Sequence, residues 1–193
     1  AKSSREIELM KTAGRVVAKV FETLKPMLKS GVSTYELNEA AEKVIFENGC
    51  DAPCKGYYGY PCGICISVNE TLIHGIPSKK IILKEGDIVS LDVVASYRGY
   101  AADAARTYPV GITTERANKV MRVAREAFYN GVKLIKPGVR LGDVQEAIQK
   151  TVESNGYNVA RDFTGHGIGK SMHEDPAIPN YGKAGTGKIK KKG

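Results

Sequence analysis

Apolar and polar residues alternate in two adjacent runs near the middle of the chain. In the first run, residues 88–94, the odd positions are Val, Leu and Val, while the even positions include Asp92. This alternation and its β-branched enrichment predict a strand that ends at the turn signal of residues 97–99. A second run, residues 100–108, follows at once, so the pattern predicts an antiparallel hairpin.

Asp92 and Asp103 fall on the same face of this predicted hairpin. A two-residue or four-residue loop pairs positions whose numbers sum to 197 or 195, which places the two residues opposite or diagonal to each other. Two bare carboxylates ~4 Å apart would repel by about 4 kcal/mol at an effective dielectric near 20, so a shared proton or a metal cation is needed between them. A divalent cation suits two adjacent hard oxygen ligands. The alternative is that one Asp points into a turn and the other into solvent, although Asp is depleted in strand interiors.

Helical periodicity and capping signals predict two helices before the hairpin. A capping box at residues 3–6 opens an amphipathic helix over residues 6–28. A second box at residues 33–36 opens another helix, which ends at the Asn-Gly pair of residues 48–49.

The helix pair recurs later in the sequence at a fixed offset. Residues 29–32 (KSGV) align with residues 136–139 (KPGV), an offset of 136 − 29 = 107, and the Asn-Gly pair of residues 48–49 then meets residues 155–156. Chance agreement between amphipathic helices explains part of this match. It does not explain both cap dipeptides in register, so an internal duplication is favoured.

The duplication sets the expected organisation. We expect one domain over residues 1–193, with an N-terminal half of about residues 1–112 and a C-terminal half of about residues 113–193. At the same offset the counterpart of Asp92 falls at position 199 (92 + 107), so the second half is expected to be incomplete and the polypeptide truncated at its C-terminal end.

Composition and charge narrow the classes further. The 193 residues are 42% hydrophobic, which is enough for one well-cored domain or for two small fused halves, and the net charge is +8. No apolar run approaches the ~18 residues of a membrane span, and the N-terminal residues have no apolar secretion signal. Four cysteines are typical of reduced thiols in a cytoplasmic protein. The basic balance, concentrated only at residues 188–192, favours a solvated surface, with a nucleic-acid-rich neighbourhood such as the ribosome as the alternative.

Residues 53–65 are rich in Gly, Tyr and Cys and predict a loop that carries aromatic walls into a strand over residues 64–69. Cys62 and Cys65 form a C-x-x-C pair, so zinc on cysteine is one alternative. The upstream cysteine spacing is irregular, and we therefore favour Cys54 and Cys65 as small apolar linings of a pocket.

The three histidines stand beside glycine, turn or acidic residues, and none lies on an apolar helical face. His74 precedes a turn containing Gly and Pro, where a lone histidine is more often structural than catalytic. His166 lies between two glycines, which let a backbone approach and leave the imidazole uncovered. His173 follows seven residues later and precedes Glu-Asp-Pro.

Asp92, Asp103 and His166, with His74 and His173 flanking, resemble the bacterial type I methionine aminopeptidases of the creatinase-like "pita-bread" metallopeptidases. The matching stretches span nearly the whole chain and are GYYGYPCGICISVNETLIHGIP, GDIVSLDVVASYRGYAADAARTY, KPGVRLGDVQEAI and GHGIGKSMHEDPAIPNYG. The resemblance implies an α+β pita-bread fold, with two pseudo-symmetric helix-helix-strands halves around a central antiparallel sheet. It also implies a cytoplasmic monomer that removes the N-terminal methionine of nascent polypeptides by a metal-bridged hydroxide.

The resemblance also implies roles for individual residues. Two divalent ions (Co, Mn, Fe or Zn) would be held by Asp92 as a chelating ligand, Asp103 as a bridge and His166 as a nitrogen ligand. His74 and His173 would hold the scissile amide and stabilise the tetrahedral intermediate. The walls of the methionine pocket would be Cys54, Tyr57, Tyr60, Cys65 and Met172.

Two glutamate ligands of the family match positions beyond Gly193. With three of five ligands present, the resemblance implies a metallo-aminopeptidase whose activity as this polypeptide is in question. The alternative function is a non-catalytic binding module on the same fold, associated with the ribosome through its basic surface.

Overall fold

The computed structural model describes residues 1–189, in which helices and antiparallel strands follow one another as the predicted α+β class requires. The helices are α1 (Ser4–Leu24), α2 (Thr34–Glu47), α3 (Glu115–Val132) and α4 (Leu141–Ser154). The strands are β1 (Cys65–Val68), β2 (Ile88–Tyr97), β3 (Tyr100–Pro109), β4 (Gly165–Gly167) and β5 (Glu174–Ile178). By its contacts the protein divides into two compact units, described separately below.

The first unit contains residues 2–114 and 168–172. Its helices begin at the predicted capping boxes: the Ser3 hydroxyl accepts a hydrogen bond from the Glu6 N–H, and the Glu6 carboxylate accepts one from the Ser3 N–H. The predicted helix of residues 6–28 is split, because Pro26 has no N–H to continue the α-helical ladder. A short 3₁₀ helix, Lys25–Met27, follows α1 instead.

A three-stranded antiparallel sheet in the order β1-β2-β3 forms the centre of the first unit. The odd positions of β2, including Val89, Leu91 and Val93, are fully buried and join the core formed with α1 and α2. The even positions face the other way, since side chains alternate along a strand. The helices therefore cover one face of the sheet, and the opposite face presents Asp92.

The second unit contains Glu115–Gly167 and the residues from His173 onward. Its helix α4 begins and ends 107 residues after α2 (141 − 34 and 154 − 47), and Gly156 has a φ of 81° where Gly49 has 69°. Both helix pairs thus end on a glycine in the left-handed region. The offset of 107 residues is therefore confirmed for the bounds of the second helix of each pair, whereas α3 begins four residues later than α1 predicts at this offset (115 against 4 + 107 = 111).

Two short strands complete the second unit. Strands β4 and β5 pair antiparallel, with His166 opposite Ala177 and an irregularity of register after His166. The alternation pattern did not predict these strands, because a single histidine between two glycines and a run containing Pro carry no period-two signal.

No helix within the described residues is long and apolar enough to cross a membrane. Of the predicted basic run at residues 188–192, Lys190, Lys191 and Lys192 lie outside the described residues.

Candidate functional site

Asp92 and Asp103 occupy diagonal positions on one face of the β2–β3 hairpin. The turn is the two-residue Arg98-Gly99, both with positive φ (50° and 76°), as a hairpin turn that matches strand twist requires. The register pairs Asp92 with Ala105 and places Asp103 closer to the turn, opposite Val94. The predicted facing of the two carboxylates is confirmed in its diagonal form.

Cys65 extends the same face onto the first strand. It pairs directly with Asp92 across the β1–β2 ladder, so its side chain points to the same side of the sheet. The Cys54 thiol adjoins it: its hydrogen bond with Cys65 and its burial raise the pKa of the Cys54 thiol, and the charges of Asp92 and Asp103 raise this pKa further. The two predicted pocket cysteines therefore lie beside the two predicted metal ligands.

A small apolar cluster covers this part of the face. The buried members are Cys54, Val94 and Ala101, against which Tyr60, Ile168 and Met172 pack. The Cys54 Sγ lies 3.9 Å from the Met172 Sδ. The Ala101 N–H donates to the Gly169 carbonyl at 2.8 Å, which ties residues 168–172 to the edge of the sheet.

Four predicted pocket residues therefore meet in this first unit. Tyr57 differs from them, since it is 44% exposed and packs edge-on against Tyr58. Val94 and Ile168 were missed by sequence analysis. The parity that Val94 shares with Asp92 was a usable signal, whereas Ile168 carries none.

The Tyr60 hydroxyl fastens the loop before β1. It donates to the Gly75 carbonyl at 2.9 Å and approaches the Ile64 carbonyl at 3.2 Å. Burial raises the pKa of the Tyr60 phenol, which keeps the hydroxyl protonated as a donor. The ring is therefore fixed against the apolar cluster, with its polar end satisfied.

His74 directly precedes Gly75, whose carbonyl accepts the hydrogen bond from Tyr60. It is exposed and has a positive φ of 55°, a conformation that non-glycine residues rarely adopt. The neighbouring Gly75 holds the segment to β1, because its carbonyl accepts from the Ile66 N–H at 2.9 Å and its N–H donates to the Ser67 hydroxyl at 3.1 Å. The predicted accessibility of His74 is confirmed.

In the second unit, His166 and His173 form a pair of imidazoles. Their ring centroids are 4.4 Å apart in an edge-to-face arrangement. The His166 Nδ1 lies 2.9 Å from the Gly167 carbonyl, which can only accept. This contact places the proton on Nδ1 and assigns the lone pair to Nε2, the nitrogen with which a histidine in this tautomer binds metal.

The donor set present suits a divalent cation. Two carboxylates on one sheet face supply hard oxygen donors, and diagonal side chains lie near enough to share one ion. Within residues 1–189, however, no group of three or more His, Cys, Asp or Glu side chains is arranged to hold a metal. The structure thus shows the Asp92–Asp103 pair, and the full ligand set with His166 stays a prediction.

Comparison with known proteins places these observations in a family. The sequence model of metallopeptidase family M24 matches residues 8–193. The methionine aminopeptidase of Clostridium acetobutylicum is 48% identical over 186 residues, covering 96% of this chain and 74% of that protein. The methionine aminopeptidase 1 of Bacillus subtilis is 45% identical over 186 residues, covering 96% of this chain and 75% of that protein.

Solved structures agree with the sequence matches. The methionine aminopeptidase of Thermotoga maritima superposes with a TM-score of 0.97 at 47% identity, covering 100% of this chain and 77% of that protein. A prolidase from Pyrococcus furiosus superposes with a TM-score of 0.83 at 26% identity, covering 95% of this chain and 53% of that protein.

Proposed function

The chain belongs to metallopeptidase family M24, with the pita-bread fold of that family, and on this premise we propose that it removes N-terminal methionine from polypeptides. By family resemblance it is a metalloexopeptidase, as the sequence analysis predicted. The observation that carries the substrate is the apolar cluster around Cys54 and Met172, built against the same sheet face as Asp92 and Asp103.

Asp92 and Asp103 would hold divalent metal through their carboxylates, and His166 would add a nitrogen ligand through Nε2. When bound, the ions supply a water acidified to near neutrality and polarise the scissile carbonyl. The choice of oxygen and imidazole donors suits Mn, Fe, Co or Zn. Two of the three proposed ligands thus lie on one hairpin, which the sheet holds in place.

The pocket residues would select the methionine side chain. Cys54 and Met172 present sulfur atoms, Tyr60 presents a fixed aromatic ring, and Cys65 lines the sheet side. A thioether is polarizable and packs well against sulfur and aromatic edges. A charged N-terminal side chain would lose its hydration here without gaining a partner, and is therefore disfavoured.

His74 and His173 would act on the peptide itself. An exposed imidazole such as His74 is able to donate a hydrogen bond to the scissile carbonyl, and His173 to the developing tetrahedral oxygen. Since the substrate is a newly exposed N-terminus, we infer that the protein works on nascent polypeptides in the cytoplasm. From the family resemblance we also infer that it is a monomer. Work near the ribosome is the alternative interpretation of the net charge of +8, beside an ordinary solvated surface.

The test is hydrolysis of the peptides Met-Ala-Ser and Lys-Ala-Ser with added Co(II) or Mn(II). A hydrophobic slot discriminates side-chain size by about 1–3 kcal/mol per methylene, so a leucine peptide should be slower than the methionine peptide without being inert. The lysine peptide should be cleaved far more slowly than both. Equal rates on the methionine and lysine peptides would refute the pocket assignment.

A further inference from the structure

One carboxylate of helix α2 accepts hydrogen bonds from both ends of residues 54–65, a segment here called the aromatic loop. The Glu42 Oε2 accepts a hydrogen bond from the Lys55 Nζ at 2.7 Å, at the start of the loop. The Glu42 Oε1 accepts one from the Gly63 N–H at 2.9 Å, near the end of the loop. One carboxylate therefore bridges the two ends of the loop that carries the pocket walls.

A second polar residue of α2 holds Glu42 in this position. The buried Asn38 donates from Nδ2 to the Glu42 Oε1 at 3.0 Å. Its Oδ1 accepts from the Gly63 N–H at 3.0 Å and from the Ile64 N–H at 3.3 Å. The apolar face of α2 fixes this helix in the core. Asn38 and Glu42 therefore hold the end of the loop in a fixed position.

The approach of the loop to Glu42 is close. A Cβ added at Gly63 would lie 2.5 Å from the Glu42 Cγ, so any larger residue there would displace the Glu42 side chain. The Glu42 side chain is 16% exposed and that of Lys55 is 50% exposed. Burial raises the pKa of the Glu42 carboxyl, but the hydrogen bonds from Lys55 and Asn38 outweigh it, and this pKa lies below its usual range. Glu42 is therefore ionised at neutral pH, and its hydrogen bonds from Lys55 and Gly63 are charge-assisted.

The hydrogen bonds of Asn38 and Glu42 are linked to Tyr60, a wall of the proposed pocket. Ile64, whose N–H is held by Asn38, offers its carbonyl to the Tyr60 hydroxyl at 3.2 Å. Tyr60 in turn accepts from the Gly56 N–H at 2.7 Å through its own carbonyl. A displacement of the loop ends would thus move the Tyr60 ring and open the wall shared with Cys54.

We propose that Glu42 is a positioning residue that clamps the aromatic loop closed and thereby sets the shape of the methionine pocket. The clamp acts through Lys55 and Gly63 and touches no reacting atom. The part of this inference that concerns methionine rests on the proposed function, whereas the clamping of the loop does not.

The loop geometry is tested first, by labelling buried thiols of the folded protein with the reagent DTNB. Cys54, Cys62 and Cys65 are buried in the clamped loop. In Glu42→Ala the labelling rate should rise about tenfold or more, because losing a charged hydrogen bond makes local opening easier. Glu42→Gln keeps a neutral acceptor for the Gly63 N–H, and its rate should lie between those of the wild type and Glu42→Ala.

Two controls separate the clamp from a general loss of stability. Glu39→Ala removes an exposed carboxylate from the same helix and should leave labelling unchanged. Val44→Ala removes core contacts from the same helix and lowers the melting temperature, while Glu42 and its hydrogen bonds to Lys55 and Gly63 are retained. Labelling that is equal in wild type and Glu42→Ala, or raised equally by Val44→Ala at a matched melting temperature, overturns the clamp.

The effect on the pocket is then measured by calorimetry with L-methionine, in the presence of Mn(II). The affinity should fall about tenfold in Glu42→Ala and recover in part in Glu42→Gln, as expected for the loss of one charged hydrogen bond. If labelling separates the variants while the wild type does not bind L-methionine, the clamp stands and the methionine pocket of the proposed function fails. If L-methionine binds equally to wild type and Glu42→Ala, the control of the pocket by Glu42 is overturned.

Discussion

Asp103 pairs with Val94 across the β2–β3 hairpin, closer to the turn than Asp92 and on the same face. Diagonal neighbours in an antiparallel pair lie about 7–8 Å apart at Cα, and their side chains lean closer. Side chains at such positions are near enough to share one cation without distortion of the sheet. Asp103 is exposed on β3, the outer strand of the three-stranded order in the described residues, so its side chain adds little to the core.

This arrangement predicts that Asp103→Ala separates metal binding from stability. The variant should lose Mn(II) affinity by about 100-fold or more, since a ligand contributes at least as much as its supporting groups. The free energy of unfolding of its metal-free form should be unchanged or higher by a few tenths of a kcal/mol, because a like-charge repulsion is removed. Its melting temperature should therefore be the same or slightly higher. Calorimetric Mn(II) titration and thermal melting check both parts.

A matched control for this variant is Asp162→Ala, an exposed carboxylate far along the sequence from the hairpin. It should leave the Mn(II) affinity unchanged. An Asp103→Ala protein that binds Mn(II) as tightly as the wild type would remove Asp103 from the ligand set.

Local signals in the sequence were sufficient for helices α1 and α2 and for the shared face of Asp92 and Asp103, but they left two loop lengths open and did not predict strands β4 and β5. The turn between Tyr97 and Tyr100 leaves two residues for the loop, and that alone decides which residues pair. The capping boxes at Ser3 and Ser33 begin their helices as predicted, because each depends on residues three positions apart. These predictions needed no knowledge of distant contacts.

Contacts between distant segments had no such signal. Asn38 and Glu42 hold the backbone of Gly63 from more than twenty positions away, and the pattern of α2 presents them only as polar residues of a helix. Ile168 reaches the apolar cluster around Cys54 from a glycine-rich loop whose course the sequence does not specify. Hydrogen bonds from side chains to backbone groups of another segment depend on tertiary structure, which periodicity does not encode.

The two capping boxes should contribute different amounts to the free energy of unfolding. Ser33 is buried, and its hydroxyl lies 2.6 Å from the Glu36 Oε2, whereas Ser3 is exposed and the corresponding distance is 2.9 Å. Replacing an N-cap serine by alanine costs about 0.5–2 kcal/mol, and we expect Ser33→Ala near the upper end and Ser3→Ala near the lower end of this range. Urea unfolding of the two variants measures the difference. A larger loss for Ser3→Ala would contradict this ranking.

The hydrogen bonds to Glu6 predict a pH dependence of stability. Hydrogen bonds from the Tyr100 hydroxyl and from Ser3 lower the pKa of the Glu6 carboxyl from its ordinary 4.5 to about 2, and the charge of Lys170 adds to the effect. A pKa depressed in the folded state contributes stability above the unfolded-state value and loses it as the pH falls through the folded-state value. The contribution is therefore fully present above about pH 4.5 and disappears toward about pH 2.

The measurement compares melting temperatures of the wild type and Glu6→Gln across this range. The wild type should be more stable at pH 6, and the difference should shrink as the pH falls from 4.5 toward 2. Tyr100→Phe removes the first of the hydrogen bonds and should flatten the wild-type profile in the same window. A difference between wild type and Glu6→Gln that stays constant down to pH 2 would contradict the depressed pKa.

Gly75 is the position at which a single methyl group should do the most damage near the site. A Cβ added there would collide with the Ile66 carbonyl oxygen, a backbone atom that the β1–β2 ladder holds in place. Gly75→Ala should therefore break the hydrogen bonds that fasten this segment to β1 and displace the neighbouring His74. The loss should reach about 2–4 kcal/mol of unfolding free energy, as expected when an added group forces the backbone to shift in a packed region. In contrast, Gly14→Ala places its Cβ 3.9 Å from the Ala102 Cβ within helix α1, where alanine is favoured over glycine by about 0.5–1 kcal/mol. Urea unfolding should thus show opposite signs for the two variants, and a Gly75→Ala protein as stable as Gly14→Ala would show that the segment bearing His74 is free to move away from β1.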